Sequence, residues 1–243
     1  MNHAKDRTVM LPGTLRDLLV LSPHCDDAVF ACGRLLESHP GAVVATIFAG
    51  SPGVGNPRTE WDCAAGFGPQ DDVMAVRRAE DRAALRLLGA RPLWLGFLDD
   101  QYRPRHRLEE VRQAVACLVR DLQPSAVFLP LGLFHADHRA VHEAARQSSA
   151  MYPKPGWFVY EDALYRRIPG LVEERLREVD RAGWFLSPTS FPTCHRSERK
   201  MQAVRCYQSQ LRALGTKGRP GYVDALSPER YWRLLRKEGA TTP

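Results

Sequence analysis

LLVLSPHCDDAVFACGRLLESH, residues 18–39, is the stretch on which the fold turns. Its first part, LLVLSPH (18–24), is an unbroken apolar run ended by Ser, Pro and His, the pattern of a strand buried on both faces. Its second part, AVFACGRLLESH, spaces apolar residues as a helix does, and AVVATIFAG (42–50) follows as another apolar run. Strand, helix and strand in that order predict a βαβ unit. Between the first strand and the helix stand His24, Asp26 and Asp27, with Cys25 and Cys32 beside them. A turn into a helix needs one capping side chain, so this junction carries more polar chemistry than a turn requires.

Reading outward, the alternation continues. DVMAVRRAEDRAALRLLG (72–89) reads as a long helix capped by Asp71 or Asp72 and stopped by Gly89. PLWLGFLDD (92–100) is then a strand, RLEEVRQAVACLVRDLQ (107–123) a helix, SAVFLPLG (125–132) a strand and DHRAVHEAARQSS (137–149) a helix. WFVYEDALY (157–165) and WFLSPTSF (184–191) read as further strands, with ERKMQAVRCYQSQLRAL (198–214) and PERYWRLLRKE (228–238) as closing helices. The prediction is an α/β fold: a Rossmann-like, mostly parallel sheet with helices on both faces and its site at the C-terminal ends of the strands. The chain reads as a single domain, 1–243, with a core over about 18–150 and residues 151–243 completing the substrate pocket. SPGVGNPRTEWDCAAGFGPQ (51–70) has no periodicity and reads as a long loop forming a lid or rim.

Composition narrows the function classes. With 243 residues, 44% of them hydrophobic, the chain buries a sizeable core. Its net charge of +6 comes from arginines interleaved with acids, as in RRAEDRAALR and EERLREVDR, which describes solvated helix faces and not a nucleic-acid footprint. Six cysteines, at 25, 32, 63, 117, 194 and 206, show no CxxC spacing and read as reduced thiols. MNHAKDRTVMLPG lacks the apolar core of a signal peptide, and no apolar run approaches the roughly 20 residues that span a bilayer. A soluble, cytoplasmic protein without a membrane partner is expected, and a homo-oligomer is compatible with the sequence.

The excess at the first strand end has two readings. Asp26 or Asp27 caps the helix and His24 is a satisfied turn residue, or all three belong to a site in the crevice beyond the strands. A second junction favours the site: LGLFHADHRAVHEAAR (131–146) also joins a strand to a helix and carries His135, Asp137, His138 and His142. A hydrolytic zinc ion takes three N or O ligands and keeps one position open, and the two clusters together offer such a set. Two rivals fare worse. His138 and His142 have the spacing of a zincin helix, yet Arg139 stands where that motif needs Glu. A non-hydrolytic nucleotide-binding protein would suit the parallel sheet, but GSPGVG (50–55) is not GxGxxG and follows the second strand.

SPHCDDA followed by HADH resembles the paired signature of the PIG-L and LmbE-like zinc-dependent N-acetylglucosaminyl deacetylases. RRAEDRAALRLLGARPLWLGFLDD is similar to that family's Arg-x-x-Glu helix, its Leu-Gly stop and its Asp-ended strand, and ERKMQAVRCYQSQ to its closing helix. The resemblance runs from about Leu18 to Gln210. It implies a zinc (Zn2+) hydrolase that removes an N-acetyl or other N-acyl group from a small amino-sugar substrate. It implies His24, Asp27 and His138 as metal ligands and Asp26 as the catalytic base. It further implies His135 as the group that polarises the scissile carbonyl and stabilises the oxyanion, Asp137 as the orienter of a neighbouring imidazole, and Arg77 and Asp99 as sugar contacts. The chain departs from the common family form at Cys25, Ala28, Cys32 and Gly33, none of them a ligand position. The SPHxDDA form and YEDALY (160–165) look more like the branch that trims amino sugars in antibiotic and other secondary-metabolite pathways.

Overall fold

The structure, a computed structural model, describes residues 17–53, 57–102, 108–193 and 197–237. Its centre is a seven-stranded sheet in the order β3-β2-β1-β4-β5-β7-β6, formed by β1 (Leu18–Ser22), β2 (Val43–Thr46), β3 (Arg91–Trp94), β4 (Ala126–Pro130), β5 (Gly156–Tyr160), β6 (Trp184–Thr189) and β7 (Tyr231–Arg236). The first five strands are parallel; β7 runs antiparallel to β5, and β6 to β7. The parallel sheet expected from the βαβ pattern is therefore present, with an antiparallel edge.

Burial explains why β1 reads as an unbroken apolar run. Leu18 and Val20 enter one core with α1 (Asp27–Ser38), α3 (Val73–Leu87) and α7 (Glu198–Cys206). Leu19 and Leu21 enter the opposite core with α4 (Leu108–Leu122), α5 (Ala136–Met151) and α6 (Leu171–Arg181). With both faces covered, no position is left for a polar alternate. Each fully buried leucine here contributes about 1.5–3 kcal/mol relative to exposure.

Three segments differ from their sequence reading. PERYWRLLRKE is no helix: its residues 231–236 form β7, between β5 and β6. Tyr231 packs into one core while Trp232 and Leu234 pack into the other, so burial on both faces hides the period of two and leaves a spacing of three that imitates a helix. ERKMQAVRCYQSQLRAL is two helices, α7 and α8 (Gln208–Leu214), which break at Tyr207. That residue is fully buried, and its hydroxyl donates to Asp81 (2.7 Å). The loop 51–70, described in part, contains a short helix, α2 (Glu60–Ala65), opened by a reciprocal capping box of Thr59 and Asp62. Elsewhere the differences are of length: β5 stops at Tyr160, before the acids of YEDALY.

The C-terminal part is built into the N-terminal helix. Phe30 O accepts from Lys200 Nζ (2.9 Å), and Glu229 accepts from the N–H groups of Arg34 (2.7 Å) and Leu35 (3.2 Å) in the middle of α1. Lys200 and Glu229 also pair with each other at 2.7 Å, both nearly inaccessible. Gly33 makes room: a Cβ there would meet Lys200 Cγ at 2.8 Å.

Candidate active site

The chain passes outward from β1 to β3 and then returns to β4 on the other side of β1, so the strand order reverses between β1 and β4. Ligands of open α/β sheets bind in the crevice beyond such a reversal. Both polar junctions of the sequence, residues 24–27 after β1 and 135–138 after β4, end there.

The helix-capping reading of the aspartates does not survive the geometry. Asp26 occupies the N-cap position of α1 but makes no side-chain cap hydrogen bond. Ser22 does that work: its hydroxyl accepts the Ala28 N–H (3.0 Å) and donates to the His24 carbonyl (2.7 Å). Asp27 instead accepts the His24 N–H (2.9 Å) and turns its Oδ2 toward two imidazoles, His24 Nδ1 at 3.3 Å and His138 Nε2 at 3.2 Å. Asp26 holds φ 146°, a conformation that L residues avoid, and its side chain lines the cleft.

In both rings the far nitrogen is fixed by a second carboxylate. His24 Nε2 donates to Asp137 Oδ2 (2.9 Å), and His138 Nδ1 donates to Asp162 Oδ1 (2.5 Å). His24, Asp27 and His138 each offer one ligand atom within 4.8 Å of the others, with Asp27 Oδ2 between the two near nitrogens. Two imidazoles and a carboxylate, each ring oriented by an outer acid, are a donor set suited to a divalent transition metal. A second set of the same kind joins His24, Asp99, His135 and Asp137. Cys25 joins neither; it packs with Ala49, Met74 and Trp94. His142 also stays outside, its Nδ1 donating to Pro130 O (2.8 Å), so the zincin-like pair is not assembled.

Electrostatics follow from this packing. Burial works against charge on Asp27, but the imidazoles of His138 and His24 outweigh it and hold the carboxyl well below its usual range. Burial likewise opposes charge on His138, and the Asp27 and Asp162 carboxylates overcome it, raising its pKa to about 9. For Asp26 the balance reverses: burial first, and the Asp27 charge second, outweigh the pull of His24, Arg77 and His138 and push it well above the ordinary carboxylate range.

His135, not Asp137, is the N-cap residue of α5, its Nδ1 accepting the Asp137 N–H (3.3 Å). With Nδ1 so engaged, the neutral ring carries its proton on Nε2. Burial and the neighbouring His24 and His138 push its pKa down. Arg77 and Asp99 line the cleft but already have partners: Arg77 pairs with buried Asp62 (3.0 Å), and Asp99 accepts from Gln101 Nε2 (2.6 Å). Asp62 also accepts from the Tyr102 hydroxyl (2.9 Å), tying α2 to the wall of the cleft. Gly50 of the GSPGVG segment is explained by close backbone approach, since a Cβ there would meet Gly96 O at 2.4 Å; residues 54–56 of that region lie outside the described residues.

Sequence reasoning missed Asp162. Besides His138, it accepts the N–H groups of Gly132 (2.9 Å) and Leu133 (3.1 Å). It lies two residues past β5, the next parallel strand, so the same strand-end rule that singled out His24 and His138 points to it.

Residues 19–149, more than half of the chain, match the family model described as PIG-L: GlcNAc-PI de-N-acetylase. The probable N-acetyl-alpha-D-glucosaminyl L-malate deacetylase 2 of Bacillus anthracis is 26% identical over 147 residues, 57% of this chain and 62% of that protein, so the chain spans less than two thirds of this relative. Among solved structures, a deacetylase triple mutant of the teicoplanin biosynthetic pathway superposes with a TM-score of 0.77 at 27% identity, covering 92% of this chain and 100% of that one. The zinc inhibited form of teicoplanin deacetylase shares the fold, with a TM-score of 0.75 at 23% identity over 92% of this chain and 100% of the other.

Proposed function

We infer that this chain, which belongs to the PIG-L (GlcNAc-PI de-N-acetylase) family, is a metal-dependent hydrolase that removes an N-acetyl or related N-acyl group from an amino-sugar metabolite, with zinc as its metal. The observation that carries the reading is the convergence of His24 Nδ1, Asp27 Oδ2 and His138 Nε2 from two strand ends onto one point. The deacetylase relatives support the reaction class, and those of the teicoplanin pathway support an amino sugar of secondary metabolism as substrate.

His24, Asp27 and His138 would hold the ion. When bound, it acts as a Lewis acid toward the amide carbonyl and lowers the pKa of water to about 7. Asp26 takes the proton of the attacking water and passes it to the departing amine, a role worth roughly 10²–10⁴-fold. His135 donates from Nε2 to the developing oxyanion. Asp137 and Asp162 keep the two ligand rings aimed, and Arg77 and Asp99 present polar groups to the sugar. Acetate and a free amine leave.

The chain acts as one domain in this reading, since the segment after residue 150 supplies Tyr165, Leu214 and Arg219 to the same cleft as His24. Among the described residues no helix is long and apolar enough to cross a membrane; a cytoplasmic site of action is part of this proposal. The experiment that tests the reading offers zinc-loaded protein a panel of N-acetylated sugars, aminoglycoside precursors and glycopeptides and assays released acetate. Acetate from a panel member, abolished by chelation and restored by zinc, is the expected result; none from any member would overturn it.

A further inference from the structure

We propose that the substrate is an amino-sugar glycoside whose aglycone is flat and apolar or aromatic, and that Phe134 and Tyr165 form the platform on which this aglycone stacks. The inference rests on the deacetylase reading above. Phe134 is 67% exposed, although it is large and apolar and adjoins His135. Its ring stacks on Tyr165 at 5.2 Å and 22°, and Tyr165 stands edge-on to His138 at 5.3 Å. The platform therefore begins one ring away from the proposed ligands and extends outward.

The backbone holds both rings in place. Phe134 has φ 59°, and Leu164, just before Tyr165, has φ 71°. Neither is glycine, and L residues rarely take such conformations unless the surroundings impose them. An exposed ring serves no core, so its strained support calls for another partner. The cleft, about 550 Å³, lies within the range of sites for drug-sized ligands and continues past both rings to Ile168.

The placement separates aglycone from sugar. The reacting amide must sit at the His24, Asp27 and His138 point. Three of the polar lining groups, Arg77, Asp99 and Gln101, cluster next to it: Gln101 donates to Asp99, Arg77 lies 3.9 Å from Asp99, and Asp99 Oδ1 lies 3.9 Å from His24 Nε2. Sugar hydroxyls match that cluster. Phe134 and Ile168, apolar and open to solvent, match the group attached to the sugar.

The test compares the phenyl and methyl glycosides of N-acetylglucosamine on the zinc-loaded chain, measuring affinity by calorimetry and acetate release in parallel. The phenyl glycoside is expected to bind about three- to tenfold more tightly, the usual strength of an aromatic pair. Phe134→Ala brings the ratio of the two affinities toward one, and Phe134→Trp keeps it. If Phe134→Ala does not fold, Phe134→Leu, which keeps apolar bulk without a flat face, must lower the ratio. Equal affinities in the parent chain, or a ratio unmoved by these substitutions, overturn the platform. Acetate from both glycosides with equal affinities sinks the platform alone; a clear phenyl preference that Phe134→Ala removes upholds the platform, and the deacetylase reading then falls only if the whole panel also yields no acetate.

Discussion

Asp162 Oδ1 and His138 Nδ1 lie 2.5 Å apart, joining the ends of β4 and β5 across 24 residues of sequence. Because the same ring turns Nε2 toward Asp27, the Asp162 contact decides where that nitrogen's lone pair points. Asp162→Asn is expected to weaken zinc binding by about 10–100-fold while the fold persists. Competition against a chromophoric chelator reads the affinity, and an unchanged constant would mean that Asp162 serves only the turn. Asp162→Ala, which also orphans the Gly132 and Leu133 N–H groups, should cost a further 1–3 kcal/mol or about that in unfolding free energy.

The adjacent aspartates separate in the same manner. Asp27→Ala is expected to lose zinc, whereas Asp26→Asn keeps zinc and Tm but loses at least about 10²-fold in kcat. Since Ser22 takes the Ala28 N–H, neither aspartate should carry a capping energy; Ser22→Ala should, at about 0.5–2 kcal/mol. Zinc content, Tm and kcat on the three variants check this, and an active Asp26→Asn would remove Asp26 from the mechanism.

Metal loading should release protons. His138, with a pKa of about 9 in the metal-free chain, is protonated at pH 7 and must give up the proton on Nε2 to bind an ion. Adding zinc to weakly buffered protein at pH 7 is expected to acidify the solution, and zinc affinity should fall as pH falls. Calorimetry in buffers of different ionisation enthalpy counts the protons; a count of zero contradicts the assignment of His138.

Asp81 gives a stability prediction away from the cleft. Burial raises its pKa to about 6 against the hydrogen bonds from Tyr207 and Trp94. A carboxyl raised in the folded state contributes stability that is complete below its unfolded pKa, near 4, and lost as pH climbs through 6. Two pKa units correspond to about 3 kcal/mol. Urea titrations at pH 5 and pH 8 should show Asp81→Asn gaining on the parent chain at the higher pH; a difference independent of pH would show that Asp81 is not neutral in the fold.

Much of this architecture was legible because both-face burial writes strands as apolar runs and covering helices as amphipathic ones, as in 18–50. The same burial misled at β7, where Tyr231 and Leu234 imitate a helical stripe although they face opposite cores. His24, Asp26, Asp27 and His138 could be read as candidates because they crowd two strand ends. Asp162 could not be assigned a partner, since its contacts follow from the β4–β5 pairing. The positive φ of Asp26, Phe134 and Leu164 left no trace either, as none is glycine and each conformation is imposed by its surroundings.

The insertion of Lys200 and Glu229 into α1 sets an order for synthesis. Residues 18–150 emerge from the ribosome first and hold both polar junctions, yet the Arg34 and Leu35 N–H groups wait for a carboxylate nearly 200 residues downstream. A nascent chain therefore lacks these two links to the helix behind Asp26 and Asp27 until Glu229 has been made. A product of premature termination before Glu229 would bury Lys200 without its counter-charge, a defect of about 3–5 kcal/mol. Such a fragment would carry both polar junctions without the Lys200–Glu229 clamp on α1.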